Sequence, residues 1–184
     1  MGLLRTLLCT ILLISAGSAS AAVIGTPFSV EYRYPDLATA YDQASYAPAS
    51  FVAGPGLDTD VLIEHVTHLL VDLFDTGLTV TFQTTLPNPV WNAQPFNGLV
   101  FTTTADLQLH DPVIQASTTL AGFDISRLTL AHHQIALNWN GLAYHDGTVL
   151  SIAFADVPEP GSVALLLAGL TGLLFVRFRP RLNA

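Results

Sequence analysis

The chain has 184 residues, 51% of them hydrophobic and only 11% charged, against about 25% charged in an average soluble protein. Setting aside an apolar run at each end leaves residues 23–156, enough to bury roughly two-thirds of the unfolded surface as one domain. There, thirteen acids face two arginines, Arg33 and Arg127, with no lysine, and a formal balance of −11 repels phosphate backbones and excludes nucleic acid as a partner.

Residues 1–22 read as a signal peptide. Met1-Gly2-Leu3-Leu4-Arg5 is a short positive start, Leu7–Ile14 an apolar core of signal-peptide length, and Ala19 and Ala21 form an Ala-x-Ala site. Cleavage is expected after Ala21 or Ala22, by signal peptidase acting on a chain delivered by the Sec machinery. Cys9, the one cysteine, lies inside this run. Leu8 before it and Ile11-Leu12-Leu13-Ile14 after it do not suit a lipoprotein acceptor. The mature chain therefore has no thiol for disulfides, thiolate catalysis or cysteine-based zinc sites.

Residues 23–156 read as an extracytoplasmic, all-β domain, an antiparallel β-sandwich or jelly roll. Thr26–Tyr34 sets Phe28, Val30, Tyr32 and Tyr34 on one face of a strand. Residues 35–50 read as loop or a short helical turn. Asp58–Phe74 has a helix-cap candidate but many β-branched residues, and strand is the preferred reading. Leu69–Phe74 and Leu78–Phe82 read as a hairpin around Asp75-Thr76-Gly77. Further strands are expected at Leu99–Thr103, Leu128–Leu130, Ile135–Trp139 and Thr148–Phe154, with Phe101, Phe123 and Trp139 in the core. Turn formers separate them, among them Gly54-Pro55-Gly56, Asn97-Gly98, Asn140-Gly141 and Asp146-Gly147.

Four patterns in this segment carry candidate chemistry. Asp75-Thr76-Gly77 matches the aspartic-protease tripeptide, but that reaction needs two carboxylates sharing a proton. A single copy would demand a homodimer, and Leu78 stands where a small residue usually follows; a hairpin turn is the preferred reading. Glu64-His65 and His68 suggest a metal site, yet on a strand His65 and His68 point to opposite faces. His132 and His133 meet the same objection, and His110 and His145 are isolated. Asp58-Thr59-Asp60 opens like a calcium loop, but Leu62 and Ile63 fill positions that need a ligand and a glycine. No catalytic residue, cofactor or metal is assigned. Tyr41, Tyr46 and Trp91 are the aromatic rings able to stack on sugars, with packing inside the protein as the plainer alternative.

Residues 157–184 form a three-part tail. Val157-Pro158-Glu159-Pro160-Gly161 is held extended by its prolines. Residues 162–176 carry no charge, and Arg177, Arg179 and Arg181 close the chain. Counted from Gly161, the apolar run is about 24 Å long as a helix against a hydrocarbon core of roughly 30 Å. It is a marginal, transient transmembrane anchor whose arginines stay cytoplasmic and leave the β-domain outside.

This order of motif, short span and basic terminus closely resembles the PEP-CTERM sorting signal, a segment also labelled as an ice-binding protein C-terminal domain without implying ice binding. The resemblance implies an exosortase that cleaves near Pro158-Glu159-Pro160. It also implies a Gram-negative host that makes exopolysaccharide and biofilm, and a destination in the envelope, cell surface or extracellular matrix. Gly54-Pro55-Gly56, Phe96–Phe101, Leu120–Arg127 and Asn138–Leu142 are loosely similar to passenger domains that precede such tails, which implies a sandwich and transfers no residue roles. The expected function is a noncatalytic structural or adhesive module. The alternatives are a module binding exopolysaccharide of the matrix and, further off, a homodimeric aspartic protease using Asp75.

Overall fold

The computed structural model describes residues 23–155. The expected signal peptide with Ala19, Ala21 and Ala22, the motif Val157–Gly161, the apolar span and the arginines 177, 179 and 181 lie outside the described residues.

Period-two alternation dominates the sequence between its turns, and the described residues fold accordingly into eleven antiparallel strands in two sheets packed as a sandwich. They are β1 (Pro27–Arg33), β2 (Ala44–Ala47), β3 (Ser50–Val52), β4 (Thr59–Ile63), β5 (Thr67–Phe74) and β6 (Gly77–Thr84), then β7 (Gly98–Thr102), β8 (His110–Ile114), β9 (Leu128–Ala131), β10 (Gln134–Asn138) and β11 (Thr148–Ala155). One sheet runs β3-β1-β7-β10-β9 and the other β2-β4-β5-β6-β11-β8. The all-β sandwich expected from the sequence is the architecture found. Among the described residues, no helix is long and apolar enough to cross a membrane.

Successive side chains on a strand point to opposite faces, so every second residue enters the space between the sheets. From one sheet come Val30 and Tyr32 of β1, Phe101 of β7 and Leu137 of β10; from the other, Val61 of β4, Val71 of β5, Val80 of β6 and Ile152 of β11, all at most 2% exposed. Removing a large side chain from such an interior costs about 2–5 kcal/mol, because the gap closes only in part. Outside the first sheet, Phe96 folds over Val100 and Ala136 and buries them too, which covers the middle of that outer face.

The structure corrects the sequence reading at several turns. Asp58–Phe74 is two strands, β4 and β5, joined by a loop in which Glu64 and His65 both take positive φ (50° and 59°). Two consecutive left-handed residues match the twist of a hairpin. Residues 35–50 hold an isolated bridge from Arg33 to Ala40 and the short strands β2 and β3. These residues are too polar and too alanine-rich to show alternation.

Gly77 and Gly98, read as turn formers, instead open strands. Phe74 pairs with Gly77, which leaves Asp75-Thr76 alone as the loop. A Cβ on Gly77 would lie 2.2 Å from the Ile152 carbonyl oxygen, and one on Gly98 would lie 1.8 Å from that of Leu137. These glycines are needed where neighbouring backbones approach too closely for any side chain.

The outward face holds one carboxylate against its preference. Asp72 on β5 has a buried Oδ1 without a partner; burial first, then the charge of Asp58, push its carboxyl above the ordinary value near 3.8. The folded state therefore keeps this proton at pH values where the unfolded chain has lost it. Stability falls as pH rises from about 3.8 through that raised value, and the cost persists at neutral pH.

Two outcomes follow. Gly98→Ala forces β7 and β10 apart and lowers stability by at least ~2 kcal/mol, read from the urea midpoint. Asp72→Asn raises the melting temperature at pH 7. That gain shrinks on acidification and vanishes below the unfolded carboxyl's titration; a gain that grew towards low pH would contradict the assignment.

Candidate functional site

At one end of the sandwich the core turns from aliphatic to aromatic. Tyr32 at the end of β1, Phe82 on β6, Trp91 and Trp139 in loops, and Tyr144 before β11 form a cluster with ring centroids 4.5–6.3 Å apart. Rings at such spacings attract one another beyond the area they bury. Burying Tyr and Trp also requires partners for their polar atoms, and these are supplied by a relay. Trp139 Nε1 donates to Tyr32 OH (3.0 Å), which donates to Asn97 Oδ1 (2.5 Å). Asn97 Nδ2 in turn donates to the Asn92 carbonyl (3.1 Å). Burial pushes the Tyr32 phenol well above its ordinary pKa, so it stays a donor.

A second relay holds the facing side. Thr67 commits its proton to Thr84 Oγ1 (3.0 Å), so Tyr144 OH donates to Thr67 (2.8 Å), while Thr84 donates to the Val66 carbonyl (3.1 Å). Backbone bonds then seat the loop before β7. Trp91 N–H donates to the Leu142 carbonyl (2.9 Å), Gly141 N–H to the Trp91 carbonyl (3.0 Å) and Tyr144 N–H to the Pro89 carbonyl (3.0 Å).

Above this cluster opens a cleft of about 180 Å³. That is far more than the ~10–15 Å³ one water needs and less than the ~300–1,000 Å³ of drug-sized pockets. Its working surface includes Tyr34, Tyr41, Glu64, Trp91, Asn92 and Tyr144. The turn after β1 brings Tyr41 back beside Tyr32, its N–H donating to the Tyr32 carbonyl (2.9 Å). Asp36 fastens that turn by accepting from the N–H groups of Ala38 and Thr39, both at 2.9 Å; its hydrogen bonds with Thr39 and Ala38 hold its carboxyl below the usual range. Tyr41 meets Tyr34 edge-to-face at 5.5 Å and donates its hydroxyl to Glu64 Oε1. Desolvation first, then Glu64, push the Tyr41 phenol up to about 12.

One donor on a residue of this cleft is buried without a partner. Trp91 is 8% exposed, and its Nε1 has no hydrogen-bond partner. Leaving a buried donor unpaired costs about 1–3 kcal/mol, so this orphan is the feature of the site that calls for an explanation.

The sequence-level candidates fall in different places. Tyr41 and Trp91 line the cleft, but Trp91 is stacked on Tyr144 (4.5 Å, 11° between planes) and further crowded by Trp139 and Tyr32. Stacking a sugar on its faces is thereby ruled out. Tyr46 is half-buried on β2, its hydroxyl oxygen accepting from the Tyr32 N–H (2.8 Å), and it does not line the cleft. Asp75 sits in the exposed two-residue turn between β5 and β6.

His132 and His133 lie side by side, ring centroids 6.4 Å apart, and the other histidines fall elsewhere. His65 is in the β4–β5 loop, His68 on β5 pairs with Asp60 (2.8 Å), and His132 in the β9–β10 turn pairs with Asp106 (2.8 Å). His133 Nδ1 lies 2.7 Å from the Ala105 carbonyl oxygen and His145 Nδ1 2.7 Å from that of Asp146. His110 opens β8. Among the described residues no three or more His, Cys, Asp or Glu are gathered as a metal site. Asp58 accepts from the N–H groups of Gly54 (2.9 Å) and Leu73 (2.7 Å), a structural use of the acid that opens the calcium-like tripeptide.

Sequence reasoning missed Tyr34, Glu64, Asn97 and Tyr144. Glu64 was visible only as part of a histidine cluster. A polar side chain between two strand-like runs, followed by a second non-glycine turn residue, carries no local signal for a left-handed loop.

Two antiparallel sheets around a hydrophobic interior, with a cleft at one end, define the class of this domain as a β-sandwich. Residues 156–181 match the PEP-CTERM protein-sorting motif, as the tail's sequence implied. The chain thus couples a β-sandwich domain to a motif that implies exosortase processing and sorting to the cell surface. Neither a curated protein nor a solved structure matches the chain.

The Tyr41–Glu64 contact is open to direct titration. Subtracting the alkaline absorbance profile of Tyr41→Phe from that of the parent isolates a phenol titrating at about 12. Glu64→Gln moves it downward but not to 10, because burial is the larger cause. A Tyr41 indifferent to Glu64 would refute the contact.

Proposed function

We propose that the protein is a noncatalytic structural or adhesive module of the cell surface or extracellular matrix, delivered there by its signal peptide and released from its transient anchor by an exosortase. The sorting motif at residues 156–181 carries this reading. The domain's own chemistry supports it, because four of its acids are spent on architecture. Asp36 and Asp124 fasten tight turns by accepting backbone N–H groups. Asp58 ties the segment before β4 to β5, and Asp146 accepts from the Thr84 N–H (3.1 Å). A general acid or base needs a carboxyl held in a cleft with its proton free to move, and these four carboxylates are engaged as fixed acceptors.

A second reading, a module that binds polysaccharide of the matrix, is favoured by the aromatic cleft lined by Tyr34 and Tyr41. Both readings share the same route to the surface.

That route is tested in the native host. Replacing Pro158, Glu159 and Pro160 together with alanine removes the centre of the Val157–Gly161 motif. The expected result is an unprocessed chain retained in the membrane fraction, identified by the mass of its C-terminal peptide, while the parent is recovered without residues beyond the motif. A triple variant processed and distributed like the parent would overturn exosortase handling.

A further inference from the structure

The two-residue turn between β9 and β10 is His132-His133. Neighbours on a strand point to opposite faces, but these two occupy a turn, where that alternation does not hold. Their rings lie side by side, centroids 6.4 Å apart. The segment 103–107 grips both residues at four points. The His132 carbonyl accepts from the Leu107 N–H (2.6 Å) and the His133 carbonyl from the Thr103 N–H (3.0 Å). His132 Nδ1 meets Asp106 Oδ1 (2.8 Å), and His133 Nδ1 meets the Ala105 carbonyl oxygen (2.7 Å).

The two side-chain contacts fix the chemistry of the rings. A carbonyl or carboxylate oxygen only accepts, so in each neutral imidazole Nδ1 carries the hydrogen and Nε2 the free lone pair. The hydrogen bond from His132 holds the Asp106 carboxyl below its ordinary range, and Gln108 donates to its other oxygen (3.0 Å). Asp106 is thus an orienting partner and not a further ligand. Among the described residues neither Nε2 has a hydrogen-bond partner. Nε2 sits on nearly the opposite edge of the ring from Nδ1, so both lone pairs leave on the side away from segment 103–107. Metal-ligating histidines are held in this way, the far ring nitrogen tied to a carboxylate or a backbone carbonyl.

We propose that His132 and His133 together bind one first-row transition-metal ion through their Nε2 atoms, Cu²⁺ most tightly and Zn²⁺ or Ni²⁺ less so, with solvent completing the coordination. Imidazole nitrogens select such ions over calcium and magnesium, which take oxygen ligands, and Cu²⁺ heads the divalent series. With metal–nitrogen bonds of about 2.0–2.1 Å and Nε2 about 1.1 Å from its ring centre, two imidazoles on one ion have centroids about 5.2 Å apart at a tetrahedral angle and ~6.4 Å apart in line. The pair stands at that outer limit, and the His132 side chain, 81% exposed, is free to close on its neighbour. The domain's balance of −11 draws cations towards it. Two protein ligands make an exchangeable site, unlike the closed four-ligand sites of structural zinc. The turn shares no residue with the aromatic cleft.

The experiment uses the ¹⁵N-labelled full chain in detergent, prepared without a polyhistidine tag. It is titrated with Zn²⁺ at about pH 7.5, where ligating imidazoles are free of competing protons, and the ¹H–¹⁵N correlations of the six imidazoles are followed. Before the ion is added, His132 and His133 should both show the Nδ1–H form. Zn²⁺ should then move their two Nε2 signals together and saturably, leaving those of His65, His68, His110 and His145 still. Calorimetry with Zn²⁺ and Cu²⁺ supplies the affinities. His132→Ala and His133→Ala should each weaken binding at least about tenfold, and Asp106→Ala, which keeps both ligands, about tenfold through loss of the orienting contact.

Backbone amide spectra matching the parent's establish that the variants fold. The proposal is overturned if no imidazole signal moves up to about 1 mM Zn²⁺, if other histidines hold the ion, or if either histidine variant binds as tightly as the parent. The surface reading involves no ion and stands in each of these cases.

Discussion

The cleft end of this domain depends on a requirement imposed by two buried aromatic residues with polar atoms. Tyr32 is 1% exposed and Trp139 fully buried, and leaving a phenol or an indole N–H buried and unpaired is costly. The relay from Trp139 through Tyr32 to Asn97 satisfies both and does more than satisfy them. Asn97 lies at the start of β7, and its amide reaches back to the Asn92 carbonyl, fixing the loop that carries Trp91. Position in the sandwich core thus determines position at the cleft, through four residues and three hydrogen bonds. Fully satisfied networks of this kind rigidify a core, whereas removing one member strands the others in a medium that punishes unpaired groups. The contrast with Trp91 is plain: the Trp139 indole N–H is paired, whereas that of Trp91, equally shielded from solvent, has no partner.

How much of this was legible in the sequence follows from the range of each signal. Alternation along Thr26–Tyr34, Ile135–Trp139 and Thr148–Phe154 announces strands because a strand with one face buried must alternate, and there the reading and the structure agree. The β5–β6 hairpin was legible for the same reason, although its glycine was assigned the wrong task. Gly77 and Gly98 look like turn residues to any local rule. Their need comes from Ile152 and Leu137, residues 75 and 39 positions further along the chain, and no window of sequence contains that information. The loop at Glu64-His65 was illegible for the opposite reason. It adopts a left-handed conformation without the glycine or asparagine that normally marks one, so β4 and β5 read as a single long strand.

The candidate site was less legible than the fold, and the physical reason is the same. A cleft is made by residues distant in sequence, here from the turn after β1, the β4–β5 loop and the loops before β7 and β11. Tyr41 and Trp91 stood out as aromatic residues in loop-like segments, but nothing local could say that one would be half-buried and the other stacked on Tyr144. The sorting tail lies at the other extreme. Its motif, span and basic end are contiguous, and because a processing enzyme reads a local stretch of chain, local reasoning was enough to recognise what residues 156–181 match.

The same contrast bears on why the β4–β5 loop is built as it is. Non-glycine residues with positive φ are disfavoured, and where they persist the surrounding structure must hold them there. At Glu64 the holding contact is with Tyr41, which places its hydroxyl on the carboxylate, and the Glu64 N–H donates to the Gln43 carbonyl (3.0 Å). An Asn-Gly loop would reach the same backbone with less strain but would present no carboxylate to the cleft. The turn therefore gives up conformational ease for a carboxylate at a defined place on the cleft wall, where it receives the Tyr41 hydroxyl and ties the β4–β5 loop to the turn after β1.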